Sequence, residues 1–119
     1  MKILYILISG AIGAVVRYGV SSWSTNAHGT GFPYGTLIVN LAGCLLIGLV
    51  FGLGETRGIN PSFRIFFITG FLGALTTLST YALETANSPD MKIAIANIAA
   101  NNIGGFVLVK AGLMLAKVF

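Results

Sequence analysis

Charged side chains are scarce in this sequence. Its 119 residues include seven Lys and Arg and three Asp and Glu, or 8% of the chain, whereas 55% are hydrophobic. A soluble domain carries roughly 25% charged residues, so these few charges cannot cover a water-facing surface. The net charge of +4 is small, and the basic residues form no run. The composition therefore indicates an integral membrane protein and excludes nucleic-acid binding, which needs clustered Lys and Arg.

Residues that bind metals or perform nucleophilic catalysis are nearly absent as well. The single cysteine, Cys44, lies in an apolar stretch, so neither a disulfide framework nor a zinc site can form within one chain. The single histidine, His28, lies beside a Gly-rich segment. The acids lie near the ends of apolar stretches: Glu55, Glu84 and Asp90. No Ser/His/Asp or Cys/His set can be assembled from these residues, and we expect no enzyme activity.

Long apolar stretches are what the sequence does contain. A helix needs about 20 apolar residues to cross the hydrocarbon core of a bilayer. Such stretches run over residues 3–23, 34–53, 63–83 and 93–116, with short connections between them. We therefore predict an all-α, multi-pass protein of the cell membrane, in which residues 1–119 form a single transmembrane domain of four helices. Four thin helices enclose little polar space, so we expect an oligomer.

Glycine is abundant, with 16 residues, and two of them are spaced for helix packing. Gly48 and Gly52 form a G-x-x-x-G pattern in the second stretch. Because glycine has no side chain, this pattern lets two helix backbones approach closely in lipid.

Polar side chains at membrane depth mark two of the predicted helices. Thr36 and Asn40 share one face of the second helix, since they are four residues apart. Asn97 and Asn101 are spaced in the same way in the fourth, with Asn102 beside them. The amide of Asn can donate to an anion or hold a neighbouring helix, and the pattern leaves both roles open. Four Asn residues in two helices favour a pore.

The third stretch has the densest polar signal. Residues 70–81 read GFLGALTTLSTY, so two glycines are followed by four Thr and Ser side chains. Hydroxyls can take over backbone hydrogen bonds where a membrane helix is interrupted. We therefore predict a helix broken near its middle, whose free carbonyls suit a cation and whose free N–H groups suit an anion. A packing face of small residues is the alternative interpretation.

With these motifs in view, the sequence resembles the Fluc/CrcB fluoride channel family over its whole length. The resemblance is carried by residues 10–14 with Arg17, residues 34–43, residues 69–77, Ser79 with Thr80, and Glu84. It implies an antiparallel dimer of four-helix subunits that lowers cytoplasmic fluoride by passive export. It also implies a structural sodium ion at the dimer centre, bound by backbone carbonyls of the helix break, which match Gly73 and Thr76.

The resemblance also implies a fluoride pathway. Asn40 matches the family's pore asparagine, Thr36 lies one turn before it, and Asn101 or Asn102 matches the polar residue of the fourth helix. The remaining pathway positions lie in the third-helix motif: Leu78, Ser79, Thr80 and Tyr81. Leu78 and Tyr81 replace two phenylalanines that are typical of the family. Tyr81 keeps an aromatic edge and adds a hydroxyl, whereas Leu78 offers neither, so the chain is expected to contribute only part of a fluoride track.

Two other functions are alternatives to a fluoride channel. A small proton-coupled multidrug exporter needs a carboxylate in the middle of a membrane helix, and none of the three acids lies there. A non-conducting subunit that supports a partner remains open because of Leu78.

The basic residues are distributed unevenly between the two ends of the predicted helices. Five of the seven lie on the side of the termini: Lys2, Arg57, Arg64, Lys110 and Lys117. The other two are Arg17 and Lys92. Cytoplasmic loops carry the excess of Lys and Arg, so we expect both termini in the cytoplasm. A fixed orientation favours a heterodimer with an oppositely oriented paralogue, and an antiparallel homodimer stays open as the alternative.

Overall fold

The computed structural model describes residues 1–119 and contains only helices and their connections. Helix α1 is Lys2–His28, α2 is Tyr34–Arg57 and α5 is Met91–Val118. The third span consists of α3, residues 61–75, which is wound as a π-helix over Ile65–Leu72, and α4, Leu78–Ala86. All four spans are long and apolar enough to cross a membrane, as predicted. The long dimension of 46 Å matches a bilayer with its headgroups, about 40–45 Å thick.

Local chemistry explains where the helices begin and end. Gly29 and Gly58 follow α1 and α2, and both have a φ of 75°, which glycine adopts without steric cost. At the start of α3, the side chain of Asn60 accepts a hydrogen bond of 2.8 Å from the amide of Ser62. Pro61 is the first residue of that helix, where the N–H it lacks would have no partner.

Helices α2 and α5 pack almost backbone to backbone. A Cβ at Gly48 would overlap the carbonyl oxygen of Val109, and one at Gly112 would overlap the backbone of α2. A Cβ at Gly52 would lie 2.6 Å from that of Ala116. The G-x-x-x-G pattern therefore allows the close approach that the sequence predicts.

Helix α1 packs against α3 by the same means. A Cβ at Gly13 would overlap the carbonyl oxygen of Phe71, and one at Gly70 would overlap the hydroxyl of Ser9. Beside this contact lies a small apolar core made of Val39, Leu72 and Leu75. Small residues thus hold α1, α2 and α3 around a core of only three buried side chains.

Most large apolar side chains point outward rather than inward. Val15 is 70% exposed, Leu83 62% and Phe106 76%, although all lie within membrane-spanning helices. In water such a surface would aggregate, whereas in a bilayer it faces lipid tails or another subunit. The arrangement is that of a multi-pass membrane protein.

The α2–α5 contact predicts a sharp cost for any side chain at Gly48. We expect Gly48→Ala to destabilise the protein by about 1–3 kcal/mol, because the new methyl group meets backbone that cannot move aside. The measurement is the midpoint of thermal unfolding in detergent. Gly19→Ala is the matched control, since a Cβ there meets nothing within 4 Å. Equal midpoints for the two variants would contradict this account of the packing.

Candidate functional site

The third span is interrupted at Thr76 and Thr77, as the sequence predicts. Thr76 has φ −83° and ψ 155°, and Thr77 has φ −151° and ψ 125°, so both backbones are extended. The break leaves backbone groups without helical partners inside the membrane, where each unsatisfied group costs several kcal/mol. Other groups of the chain, or water or an ion in a cavity, must therefore supply those partners.

Asn40 of α2 supplies the main ones. Its Oδ1 accepts a 2.8 Å hydrogen bond from the amide of Thr77, and its Nδ2 donates to the carbonyl of Thr77 at 3.1 Å. The hydroxyl of Thr77 in turn caps α4 by accepting from the amide of Thr80 at 3.2 Å. One side-chain amide thus pairs with both backbone groups of a single residue in the break.

The break leaves the carbonyls of residues 73–76 without their helical donors, and those of Gly73 and Thr76 are among them. In an unbroken helix the amide of Thr77 would donate to Gly73 and that of Thr80 to Thr76. Instead they donate to the Asn40 side chain and to the Thr77 hydroxyl. The carbonyl oxygens of Gly73 and Thr76 are consequently available to another group. Neutral carbonyls of this kind bind monovalent cations in membrane channels, so the donor set fits a sodium ion without any carboxylate.

A row of amides continues from Asn40 into α5. The Nδ2 of Asn40 also donates to Asn101 Oδ1 at 2.9 Å, and the Nδ2 of Asn101 donates to Asn97 Oδ1 at 2.8 Å. Asn97 is 1% exposed, and its Nδ2 donates to the hydroxyl of Thr85 at 2.8 Å. The predicted polar faces of the second and fourth helices therefore meet each other.

A groove with a cavity of about 360 Å³ lies between α2, α5 and the break. It is lined by Asn40, Gly43, Cys44, Ile47, Ile68, Leu72, Gly73, Thr76, Thr77, Leu78, Tyr81, Asn101 and Asn102. It brings together five of the eight predicted pathway residues and both predicted sodium ligands. No carboxylate, imidazole, lysine or arginine belongs to this lining.

The residues of the groove differ in whether their hydrogen-bond donors are already used within the chain. The amide of Asn102 donates to the Tyr81 hydroxyl at 3.0 Å and to the carbonyl of Ile98 at 2.9 Å. Tyr81 accepts from Asn102, so its own O–H remains available to donate to another acceptor. Both N–H groups of Asn40 are committed within the chain. Leu78 is 76% exposed at the edge of the groove.

The other predicted pathway residues lie elsewhere. Ser79 and Thr80 are exposed on α4, with hydroxyls 3.4 and 3.2 Å from that of Thr77. Thr36 is 3% exposed and lines a second cavity, also about 360 Å³, near the connections after α1 and α4. Glu84 lines the same cavity, and one of its carboxylate oxygens is buried without a hydrogen-bond partner. The two cavities place Thr36 apart from Asn40 despite their shared helical face.

The comparisons with known proteins agree with this architecture. The family described as CrcB-like protein, Camphor Resistance (CrcB), matches residues 4–113. A fluoride-specific ion channel FluC of Maridesulfovibrio salexigens is 43% identical over 120 residues, covering 98% of this chain and 95% of the relative. The FluC of Parabacteroides distasonis is 37% identical over 98% of this chain and 94% of its own. The chain belongs to the CrcB family.

Proposed function

We propose that this chain is one subunit of a fluoride-selective channel in the cell membrane, which lowers cytoplasmic fluoride by passive export. The observation that carries the proposal is the groove at the helix break, which combines amide and hydroxyl groups with a complete absence of charged side chains. The relatives are named fluoride-specific ion channels, and an ion channel is not an enzyme. The uncharged groove and the names of the relatives both agree with the fluoride channel that the sequence predicts.

The groove supports selection by neutral donors rather than by fixed charge. Fluoride accepts hydrogen bonds strongly, and a narrow path of N–H, O–H and ring-edge donors can replace its hydration shell. Tyr81 offers both a free O–H and a ring edge. The N–H groups of Asn40 reach an anion only when a bond to Thr77 or Asn101 is released. The N–H groups of Asn101 and Asn102 are likewise bonded within the chain, so they join the donor set only when one of those bonds is released, while the exposed Ser79 and Thr80 extend the set along α4.

The proposal includes a dimer because one chain forms only one side of the path. Leu78, at the edge of the groove, is 76% exposed, and the Gly73 backbone is exposed beside it. An antiparallel partner would cover this face and bring two further carbonyls to those of Gly73 and Thr76. Four carbonyl oxygens around a sodium ion would then stabilise the dimer centre. We further propose that the partner is an oppositely oriented paralogue rather than a second copy.

Fluoride efflux from liposomes that contain this chain, alone and with a paralogous partner, tests the function. We expect efflux from at least one of these preparations, and Asn40→Asp to reduce it at least tenfold. The aspartate loses both N–H groups that Asn40 uses and places a negative charge in the anion path. Asn60→Asp is the matched control, because Asp caps α3 as well as Asn does. Normal efflux through a correctly assembled Asn40→Asp channel would rule out the role of Asn40.

Sodium dependence tests the cation site. We expect the midpoint of thermal unfolding to be higher in sodium chloride than in choline chloride at equal ionic strength. A ligand at 100 times its dissociation constant stabilises a folded protein by about 2.7 kcal/mol. Choline is too large for a site made of close carbonyls, so it serves as the control. Identical midpoints in the two salts would contradict a structural sodium ion.

A reporter fused to the C-terminus tests the orientation. We expect it to be mainly cytoplasmic, because five of the seven basic residues lie on that side. Arg57→Gln with Lys117→Gln should mix the orientations, whereas Lys92→Gln should not. If the unmodified chain inserts equally in both orientations and conducts fully by itself, the paralogous partner is unnecessary.

A further inference from the structure

The row of amides described above forms a closed loop on the third span. It starts at the amide of Thr77, passes through Asn40, Asn101 and Asn97, and reaches the hydroxyl of Thr85. That hydroxyl donates to the carbonyl of Tyr81 at 2.7 Å. The loop thus begins in the break and ends on α4, after crossing α2 and α5. We call these linked groups the amide relay.

The backbone at the two ends fixes the orientation of every amide between them. The Thr77 amide can only donate, so it requires the oxygen of Asn40 rather than its nitrogen. The same requirement then passes to Asn101 and Asn97, each of which accepts from the preceding residue. At the far end the Tyr81 carbonyl can only accept, which directs the Thr85 hydroxyl towards it. Reversing one amide would place two acceptors or two donors in contact.

Helix α4 has few apolar contacts that could position it instead. None of its nine residues is buried, and Leu78 and Leu83 are 76% and 62% exposed. Apart from the backbone on either side, α4 is tied to the other helices by polar contacts at Thr85 and Tyr81. The position of α4, and with it the geometry of the break, therefore depends on side-chain hydrogen bonds.

We propose that Asn97 and Thr85, which lie outside the groove, are positioning residues that hold Asn40 on Thr77 and so set the geometry of the break. Neither side chain lines the cavity at the break. Their influence passes through Asn101, whose two interactions with Asn97 and one with Asn40 orient the Asn40 amide. The positioning role of Asn97 and Thr85 does not depend on the proposed function; only its effect on conduction rests on that function.

Thr85→Val breaks the relay with almost no change in shape. It removes the acceptor that Asn97 uses, and it leaves the side chains near Thr77 untouched. The readout is the hydrogen-exchange rate of the Thr77 amide, measured by NMR on the assembled protein in lipid nanodiscs. Side-chain hydrogen bonds within membranes have strengths that correspond to roughly 3- to 20-fold in an equilibrium constant. We expect the Thr77 amide to exchange faster by that factor.

Two further variants separate the relay from general loosening. Thr56→Val is the matched control, because the Thr56 hydroxyl donates to the carbonyl four residues earlier, at 3.0 Å, and only to its own helix. We expect Thr56→Val to leave Thr77 exchange unchanged and Thr85→Ser to restore the slow rate. Asn97→Leu interrupts the relay one residue closer to Thr77, so it should accelerate the hydrogen exchange of the Thr77 amide as Thr85→Val does. If Thr85→Val and Thr56→Val give the same Thr77 exchange rate as the unmodified chain, the proposal is wrong.

Fluoride efflux from the same preparations tests the consequence for conduction. A fall of roughly 3- to 20-fold in Thr85→Val, absent in Thr85→Ser, would support control of the path by the relay. Faster exchange of the Thr77 amide with unchanged fluoride efflux would show that the relay does not control the path. If the unmodified protein conducts no fluoride in either preparation but shows the exchange pattern above, the positioning role stands and the proposed function fails.

Discussion

The pairing of Asn40 with the backbone of Thr77 is the interaction on which the rest of the molecule depends. A membrane helix can be interrupted only if its released N–H and C=O groups find partners, because lipid offers none. Asn40 provides an acceptor and a donor to one residue, at 2.8 and 3.1 Å. The pairing stabilises the extended backbone at the break and leaves the carbonyl of Gly73 free, while the Thr77 hydroxyl, by capping α4, leaves that of Thr76 free.

Close helix packing makes this pairing possible. An amide of α2 reaches the break because Gly43 lets the side chain of Thr76 lie directly against the α2 backbone. The amides of α5 reach Asn40 because Gly48 and Gly112 bring α2 and α5 together. The glycines thus place short polar side chains within hydrogen-bonding distance across three helices. The apolar core is correspondingly small, and most large apolar residues face outward.

Much of this architecture could be predicted from the sequence because its causes are local. Apolar length specifies the four spans, and the glycines and hydroxyls of residues 70–81 specify the break. Which side chains pair with the backbone groups of the break depends on tertiary packing, so the sequence does not predict it. Thr36 and Asn40 share a helical face, yet the packing of neighbouring connections puts Thr36 in a different cavity. Asn97 carries the same spacing signal as Asn101, but its link to Thr85 depends on how α4 returns against α5. The dimer, the sodium ion and the roles along the pathway remain proposals.

The uncharged lining of the groove has a consequence for work in acidic surroundings. The side chains that change charge between weakly acidic and neutral solution are carboxylates and imidazole, and neither occurs in the lining. The charge of the groove lining therefore stays constant while the outside medium acidifies. Acid delivers more fluoride to a cell as the neutral, membrane-permeant acid, which ionises inside. The proposed path, built from amides, hydroxyls and ring edges, therefore keeps its character in the condition that makes export most necessary.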